Sequence, residues 1–280
     1  MQNRFIAAIV TAALALPAAA QQPARIAGHP NFNGIWQALT TANWDLEAHT
    51  GKPLDDFWGL GAIASVPPGK SVIRGGGTIP YLPDALKKRA ENREYWPQSD
   101  NEAKCFMLGV PRYTYHNLPF QIFQNAGPGD AEVLMVYPFA AGHRVIHFKD
   151  KSEDPVESWM GKSTGAWEKD TLVVTTISQN ENTLLDRAGN HHSADLKVTE
   201  RFTLIDPSHI KYEATLEDPK TYSRPWTIDL TLYKNIDKDA QLLENKCVTF
   251  ADKMLYSDLM GLKPQSKLIP GSPQTNVPRK

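Results

Sequence analysis

The densest group of residues able to move protons lies between positions 182 and 201. Asn182, Asp186, His191, His192 and Ser193 precede a segment that carries Glu200 and Arg201. Imidazole titrates near neutral pH and a carboxylate can orient it, so Asp186 with His191 or His192 suits general acid–base catalysis. Adjacent histidines on an extended chain point to opposite faces, so at most one of the two enters a shared pocket. The alternative is a polar surface turn, in which Asp186 and Asn182 bond to nearby backbone. Glu200 poses a different question. Val198, Glu200, Phe202 and Leu204 alternate onto one face of a strand, which places a carboxylate among apolar residues. Such a carboxylate must be paired or catalytic, because burying an isolated charge is expensive. Arg112, Arg144 and Arg224 are its candidate partners.

In the catalytic reading His192 or His191 is the acid or base and Asp186 orients it. Glu200, with Arg201 or Arg144, then holds a polar group of the substrate. His143, Trp167 and Asn182 join Arg144 and Arg201 as candidate substrate-binding residues. His143 and His147 fall on one face of another strand, but two histidines without a third ligand do not define a metal site. No metal and no cofactor is expected. Gly69-Lys70-Ser71 and Gly161-Lys162-Ser163 resemble fragments of a phosphate loop, yet Ala64 and Val156 occupy the positions that need glycine. No Gly-x-Ser-x-Gly elbow and no His-Glu-x-x-His pair occurs.

The chemistry expected is therefore a lyase, isomerase or hydrolase step on an aromatic or polycyclic small molecule. Seven tryptophans, nine tyrosines and ten phenylalanines supply aromatic walls for it. The rival readings are a lipocalin-like carrier of an apolar ligand, without catalysis, and an interaction module of the cell envelope. A net charge of −1 gives no electrostatic footprint for nucleic acid.

Residues 1–20 read as a cleavable signal peptide: Arg4 supplies the positive charge, Phe5 to Leu16 the apolar run, and Ala18-Ala19-Ala20 the cleavage site. The run is too short for a spanning helix, and no second apolar segment follows, so no integral membrane segment is expected. The expected location is periplasmic or secreted. Cys105 and Cys247 are the only cysteines, and in an oxidising compartment a disulfide between them is the natural reading. A catalytic thiol is the competing one.

Residues 21–280 are expected to form one β-rich domain, with 21–32 as an extended leader. Residues 40–80 carry many turn formers and read as a long excursion over the surface or across a pocket mouth. Pro83, Asp84 and the segment Ala85 to Glu91 predict a charged covering helix that ends before Pro97. Strands are predicted at Gly34 to Leu39, Phe120 to Gln124, Ala131 to Tyr137, Arg144 to Phe148, Thr164 to Trp167 and Thr171 to Ile177. Further strands are predicted at Lys197 to Leu204, Ile210 to Leu216, Trp226 to Tyr233 and Leu242 to Val248. This spacing, without βαβ alternation, predicts a mostly β chain: an antiparallel barrel or sandwich with one or more covering helices.

Gly34-Ile35-Trp36 is similar to the Gly-x-Trp signature that opens the lipocalin-like barrels. Over residues 105–248 the chain resembles a large family of exported bacterial proteins of poorly assigned function. The shared pattern runs Cys105, Gly109-Val110-Pro111-Arg112 and Gly165-x-Trp167-Glu168-x-Asp170-Thr171-Leu172-Val173-Val174-x-Thr176. It continues through Asp186-x-x-Gly189, His192-Ser193, Glu200-Arg201-Phe202, Asp218-Pro219-x-x-Tyr222, Pro225-Trp226 and Cys247. Two departures stand out. Lys169 occupies a hairpin position where the family has glycine, and Leu184 or Leu185 replaces a usual tryptophan. The resemblance implies an exported barrel-like domain with a disulfide and brings no catalytic residues.

Overall fold

The computed structural model describes residues 25–53, 65–96, 98–125, 132–149 and 156–249. Residues 1–20, expected to be a signal peptide, lie outside the described residues. Nine strands form a closed barrel: β1 (Gly34–Ala38), β2 (Phe120–Gln124), β3 (Glu132–Val136), β4 (His143–His147), β5 (Lys162–Glu168), β6 (Thr171–Ile177), β7 (Lys197–Asp206), β8 (His209–Glu217) and β9 (Trp226–Lys234). Each strand pairs with the next in sequence. The ring closes where Leu232, Tyr233 and Lys234 of β9 meet Ala38, Gln37 and Trp36 of β1. Closure decides between the barrel and the sandwich.

A ring of strictly alternating strands needs an even number of them, so nine strands force one parallel pair. That pair is β4 with β5, joined at Ile146–Ser163 and His147–Thr164, and the other pairings are antiparallel. A parallel neighbour requires a return crossover.

Alternation along each strand fills the barrel. Leu172 and Val174 from β6, Val198 and Phe202 from β7, Ile210, Ala214 and Leu216 from β8, and Ile228 and Leu232 from β9 are all buried. Trp36 is fully buried; its indole N–H donates to Phe32 O at 2.8 Å, and Lys234 Nζ sits 5.4 Å from the ring centre. Gly34 makes room for that lysine: its φ is +144°, and a Cβ there would stand 2.4 Å from Lys234 Cε. The Gly-x-Trp residues thus serve barrel closure, where β9 meets β1.

Helix α1 (Pro83–Glu94) begins with Pro83, whose missing N–H costs nothing in a first turn, and buries only Ala85 and Asn92. It covers the barrel without entering it. A single-turn helix, α2 (Arg112–Tyr115), is buried throughout and packs against β1. Leader residues 25–30 fold back as a small hairpin, Arg25–Ile26 against His29–Pro30.

The hairpin between β5 and β6 has two central residues, Lys169 and Asp170, between the paired Glu168 and Thr171. Lys169 adopts φ +56°, the left-handed region that suits glycine. Leu242 to Val248, predicted as a strand, is irregular. A closed barrel offers no free edge for a further strand, and this segment is tied down instead by the Cys105–Cys247 disulfide.

Candidate functional site

The structure uses Asp186 to join two loops. Its buried carboxylate accepts hydrogen bonds from Leu46 N at 2.9 Å, Ala188 N at 3.0 Å, Asn190 N at 3.2 Å and Asn190 Nδ2 at 2.6 Å. Burial, helped by the neighbouring Asp45 charge, pushes its pKa up to about 7. His192 is buried as well. Its Nδ1 faces Ser193 O at 2.8 Å, so the proton sits there, and Nε2 accepts from Thr183 Oγ1 at 2.7 Å and Gln179 Nε2 at 3.1 Å. Both ring nitrogens are therefore taken, and burial lowers the pKa and keeps the ring neutral.

His191 faces elsewhere, as expected for neighbours on an extended chain. Its ring stacks on Tyr81 with centroids 5.5 Å apart, and its carbonyl accepts from Tyr222 OH at 2.6 Å. His191 Nδ1 is buried without a partner, and burial drives the pKa down to about 4. Among the described residues no hydrogen bond joins Asp186 to either imidazole. Asn182 is exposed, its backbone N–H donating to Asn180 Oδ1.

The remaining site candidates part company by strand face. Arg144 and Glu200 point into the barrel, and Arg144 Nη2 forms an ion pair with Glu200 Oε2. Arg144 Nε donates to Ser163 Oγ at 2.7 Å and Nη2 to Thr176 Oγ1 at 3.0 Å; Tyr212 OH donates to Glu200 Oε1 at 2.8 Å. Five consecutive strands, β4 to β8, thus contribute one member each to a polar belt inside an apolar barrel. Burial opposes the guanidinium charge, yet Glu200 outweighs it and raises the Arg144 pKa. Burial and the same carboxylate raise the Tyr212 phenol far above its ordinary value. Arg201 takes the outer face and pairs with Glu168 Oε2 at 2.9 Å. His143 is exposed at the start of β4. Trp167 stacks on His29 at 4.3 Å and on Phe32 at 5.8 Å, away from this belt's hydrogen bonds.

Six buried side-chain polar atoms among the described residues lack a hydrogen-bond partner, and Arg144 Nη1 is the one on a charged group. Thr114 Oγ1 is another. The Tyr137 phenol lies beside both Arg144 and Thr114, and burial raises its pKa to about 12. Unpaired donors at this depth are uncommon and costly, and the Tyr137 oxygen, within hydrogen-bonding reach of Arg144, is an acceptor at hand.

Arg112, a candidate partner for Glu200, belongs to a second buried network. It grips Asp100 with two bonds of 2.7 and 3.1 Å, Glu102 at 2.6 Å and Asn43 Oδ1 at 2.8 Å. Arg187 clasps the same Glu102 at 2.7 and 2.9 Å and lies over Trp44 at 4.2 Å. These two cations overcome burial and hold the Glu102 carboxyl well below its usual range. The 100–105 turn carrying these acids ends at Cys105, so the disulfide anchors it.

Tyr212, Ser163, Thr176, Tyr137 and Thr114 were not among the residues singled out from sequence. Tyr212 alternates with Ile210 and Ala214 onto the same inward face as Glu200 and carried a readable signal; the hydroxyl residues look like ordinary strand residues. A separate recess of about 280 Å³ lies on the wall of β5 and β6, lined by Phe148, Thr164, Gly165, Val173, Thr175 and Ile177. Among the described residues no group of three or more His, Cys, Asp or Glu side chains is placed to hold a metal ion, and no helix is long and apolar enough to cross a membrane. Comparison with protein-family models, with curated proteins and with solved structures returned no match.

Proposed function

We propose that this chain is an exported barrel protein that binds an aromatic or polycyclic small molecule, with a polar group of the ligand held by Arg144 inside the barrel. The observation that carries the reading is the polar belt of Arg144, Ser163, Thr176, Glu200 and Tyr212 buried inside an otherwise apolar barrel. A barrel of eight or so strands is just wide enough to hold one small ligand, and recognition by apolar walls with a few placed polar groups is the usual pattern. Tyr137, Tyr113 and Phe120 form such a wall, with ring centroids 4.4 and 5.4 Å apart. Export rests on the N-terminal segment, and the Cys105–Cys247 disulfide fits an oxidising compartment. The family resemblance over residues 105–248 supports the same location.

A second reading, cofactor-independent acid–base catalysis on the bound molecule, is favoured by the contact of Glu200 with the Tyr212 phenol next to Arg144. It places a carboxylate base, a phenol and a guanidinium together. Asp186 and His192 would then position loops, since their polar atoms are occupied, and His191 keeps one nitrogen free. Titration of the purified protein with a panel of neutral aromatic compounds, followed by tryptophan fluorescence, tests the binding reading. Saturable quenching that Arg144→Met/Glu200→Gln abolishes is the expected result; quenching identical in the two proteins removes Arg144 from the site.

A further inference from the structure

The parallel β4–β5 pairing leaves a gap in the barrel wall. Among the described residues the two strands pair only at Ile146–Ser163 and His147–Thr164, and β5 runs on to Glu168. Phe148, the residue after β4, lies across that gap. Gly165 makes room for its ring, since a Cβ there would stand 3.1 Å from Phe148 Cζ and 2.7 Å from Ile146 Cγ2. Phe148 is also near-parallel to Trp167, at 6.3 Å and 14°, and Trp167 stacks on His29 at 4.3 Å, so the ring is held in place. The recess of about 280 Å³ opens beside it.

Its floor is the outer face of β5 and β6, opposite to the face that carries Ser163 and Thr176 into the polar belt. Three cross-strand pairs build it in rows: Ala166 with Val173, Thr164 with Thr175, and Lys162 with Ile177. The Ala166–Val173 end is apolar, and the charges next to it, Glu168 and Arg201, pair with each other at 2.9 Å. The other rows add the hydroxyls of Thr164 and Thr175 and the ammonium of Lys162. These groups present hydrogen-bond donors side by side, three of them on the ammonium, so Lys162 can hold a ligand oxygen while keeping its interaction within the chain. A carboxylate, which only accepts, suits such an array. A cavity of about 150 Å³ takes one benzene ring. About 280 Å³ therefore takes a ring with a short acidic chain.

We propose that this recess on the outer wall of the barrel binds a small aromatic carboxylate, its ring against Phe148 and Val173 and its carboxylate on Lys162, Thr164 and Thr175. The site is separate from the barrel interior and does not rest on the binding reading above. Methyl NMR titration of the wild-type chain with phenylpropionate and with the uncharged phenylpropanol is the test. The methyl groups of Ala166, Val173 and Ile177 line the recess, and those of Leu172 and Val174 are buried in the interior. The expected result is saturable ring-current shifts at the first set alone, with the acid bound about threefold to fivefold tighter than the alcohol, the size of one half-exposed ion pair. Lys162→Met should erase that margin and leave the affinity for the alcohol as it is. Ala166→Trp, on the exposed face, should fill the recess and abolish the ligand-induced shifts while the interior signals stay native. Shifts confined to Leu172 and Val174 place the ligand inside the barrel, which overturns the recess while supporting the interior reading. No shift at the solubility limit, binding retained in Ala166→Trp, or an acid margin unchanged in Lys162→Met overturns the assignment as well.

Discussion

Arg144 on β4 and Glu200 on β7 meet inside the barrel with neither side chain more than 2% exposed. Two charges there must be taken out of water together, and what they gain from each other depends on the hydrogen bonds around them. Ser163 and Thr176 accept hydrogen bonds from Arg144 Nε and Nη2, and the Tyr212 hydroxyl donates to Glu200 Oε1.

Breaking this pair from one side should cost far more than removing it whole. Arg144→Met or Glu200→Gln alone leaves a buried ion unmatched and is expected to destabilise by about 3–5 kcal/mol, whereas the double replacement recovers much of that loss. Urea unfolding of the three variants gives the cycle. Additive losses in the double variant would mean that the two residues do not act as a pair.

Asp186 and His191 should give stability opposite dependences on pH. The folded Asp186 pKa, about 7, lies above its ordinary 3.8, so the folded state holds its proton more firmly and this contribution is lost as pH rises between those values. His191 is depressed from 6.5 to about 4, so its contribution is present above 6.5 and fades as pH falls toward 4. Asp186→Asn should therefore gain on the wild type as pH rises from 4 to 7. His191→Phe, which preserves the stack on Tyr81, should gain as pH falls from 6.5 to 4. Melting temperatures across that range decide it; parallel curves for variant and wild type would show that these groups are not shifted.

Lys169 holds φ +56° at the β5–β6 turn, a conformation that costs a side-chain-bearing residue about 1–2 kcal/mol. Lys169→Gly removes that cost but adds about 0.5–1 kcal/mol of backbone entropy to the unfolded chain. A small net rise in melting temperature is expected. A fall would mean that the lysine side chain contributes contacts worth more than the strain.

The disulfide closes 142 residues of chain and pins the irregular 235–249 segment to the turn that bears Asp100 and Glu102. Chain entropy alone assigns it about 5 kcal/mol. Cys105→Ser/Cys247→Ser should lower the urea midpoint steeply, and a reductant should have the same effect on the wild type and none on the variant. Reductant-independent stability would place the thiols outside the folding balance.

Much of the barrel was legible because a half-buried strand writes itself as alternation. Val198, Glu200 and Phe202, and Ile210, Tyr212 and Ala214, mark their inward faces directly, and Glu200 stands out as the charge that needs a partner. Which arginine answers it was not legible. Arg112, Arg144 and Arg224 differ only in where the chain carries them, and that depends on β4 and β7 facing each other across a closed ring. Closure itself, and the parallel β4–β5 pair that nine strands demand, are properties of the whole ring with no local signature. The Asp186–His192 grouping looked like a catalytic pair because both lie close in sequence. Their partners, Leu46 for one and Gln179 for the other, come from separate segments and turn proximity into two separate structural roles. Leu242 to Val248 has the composition of a strand but meets a barrel with no open edge.

The central claim, that the barrel holds a small molecule against Arg144, is tested most directly by native mass spectrometry of the protein purified from an expressing cell, beside Arg144→Met/Glu200→Gln prepared identically. A bound species of small-molecule mass on the wild type that is released on denaturation and missing from the double variant is the predicted result. The same adduct on both proteins, or bare chain from both even after incubation with neutral aromatic ketones and phenols, would contradict it.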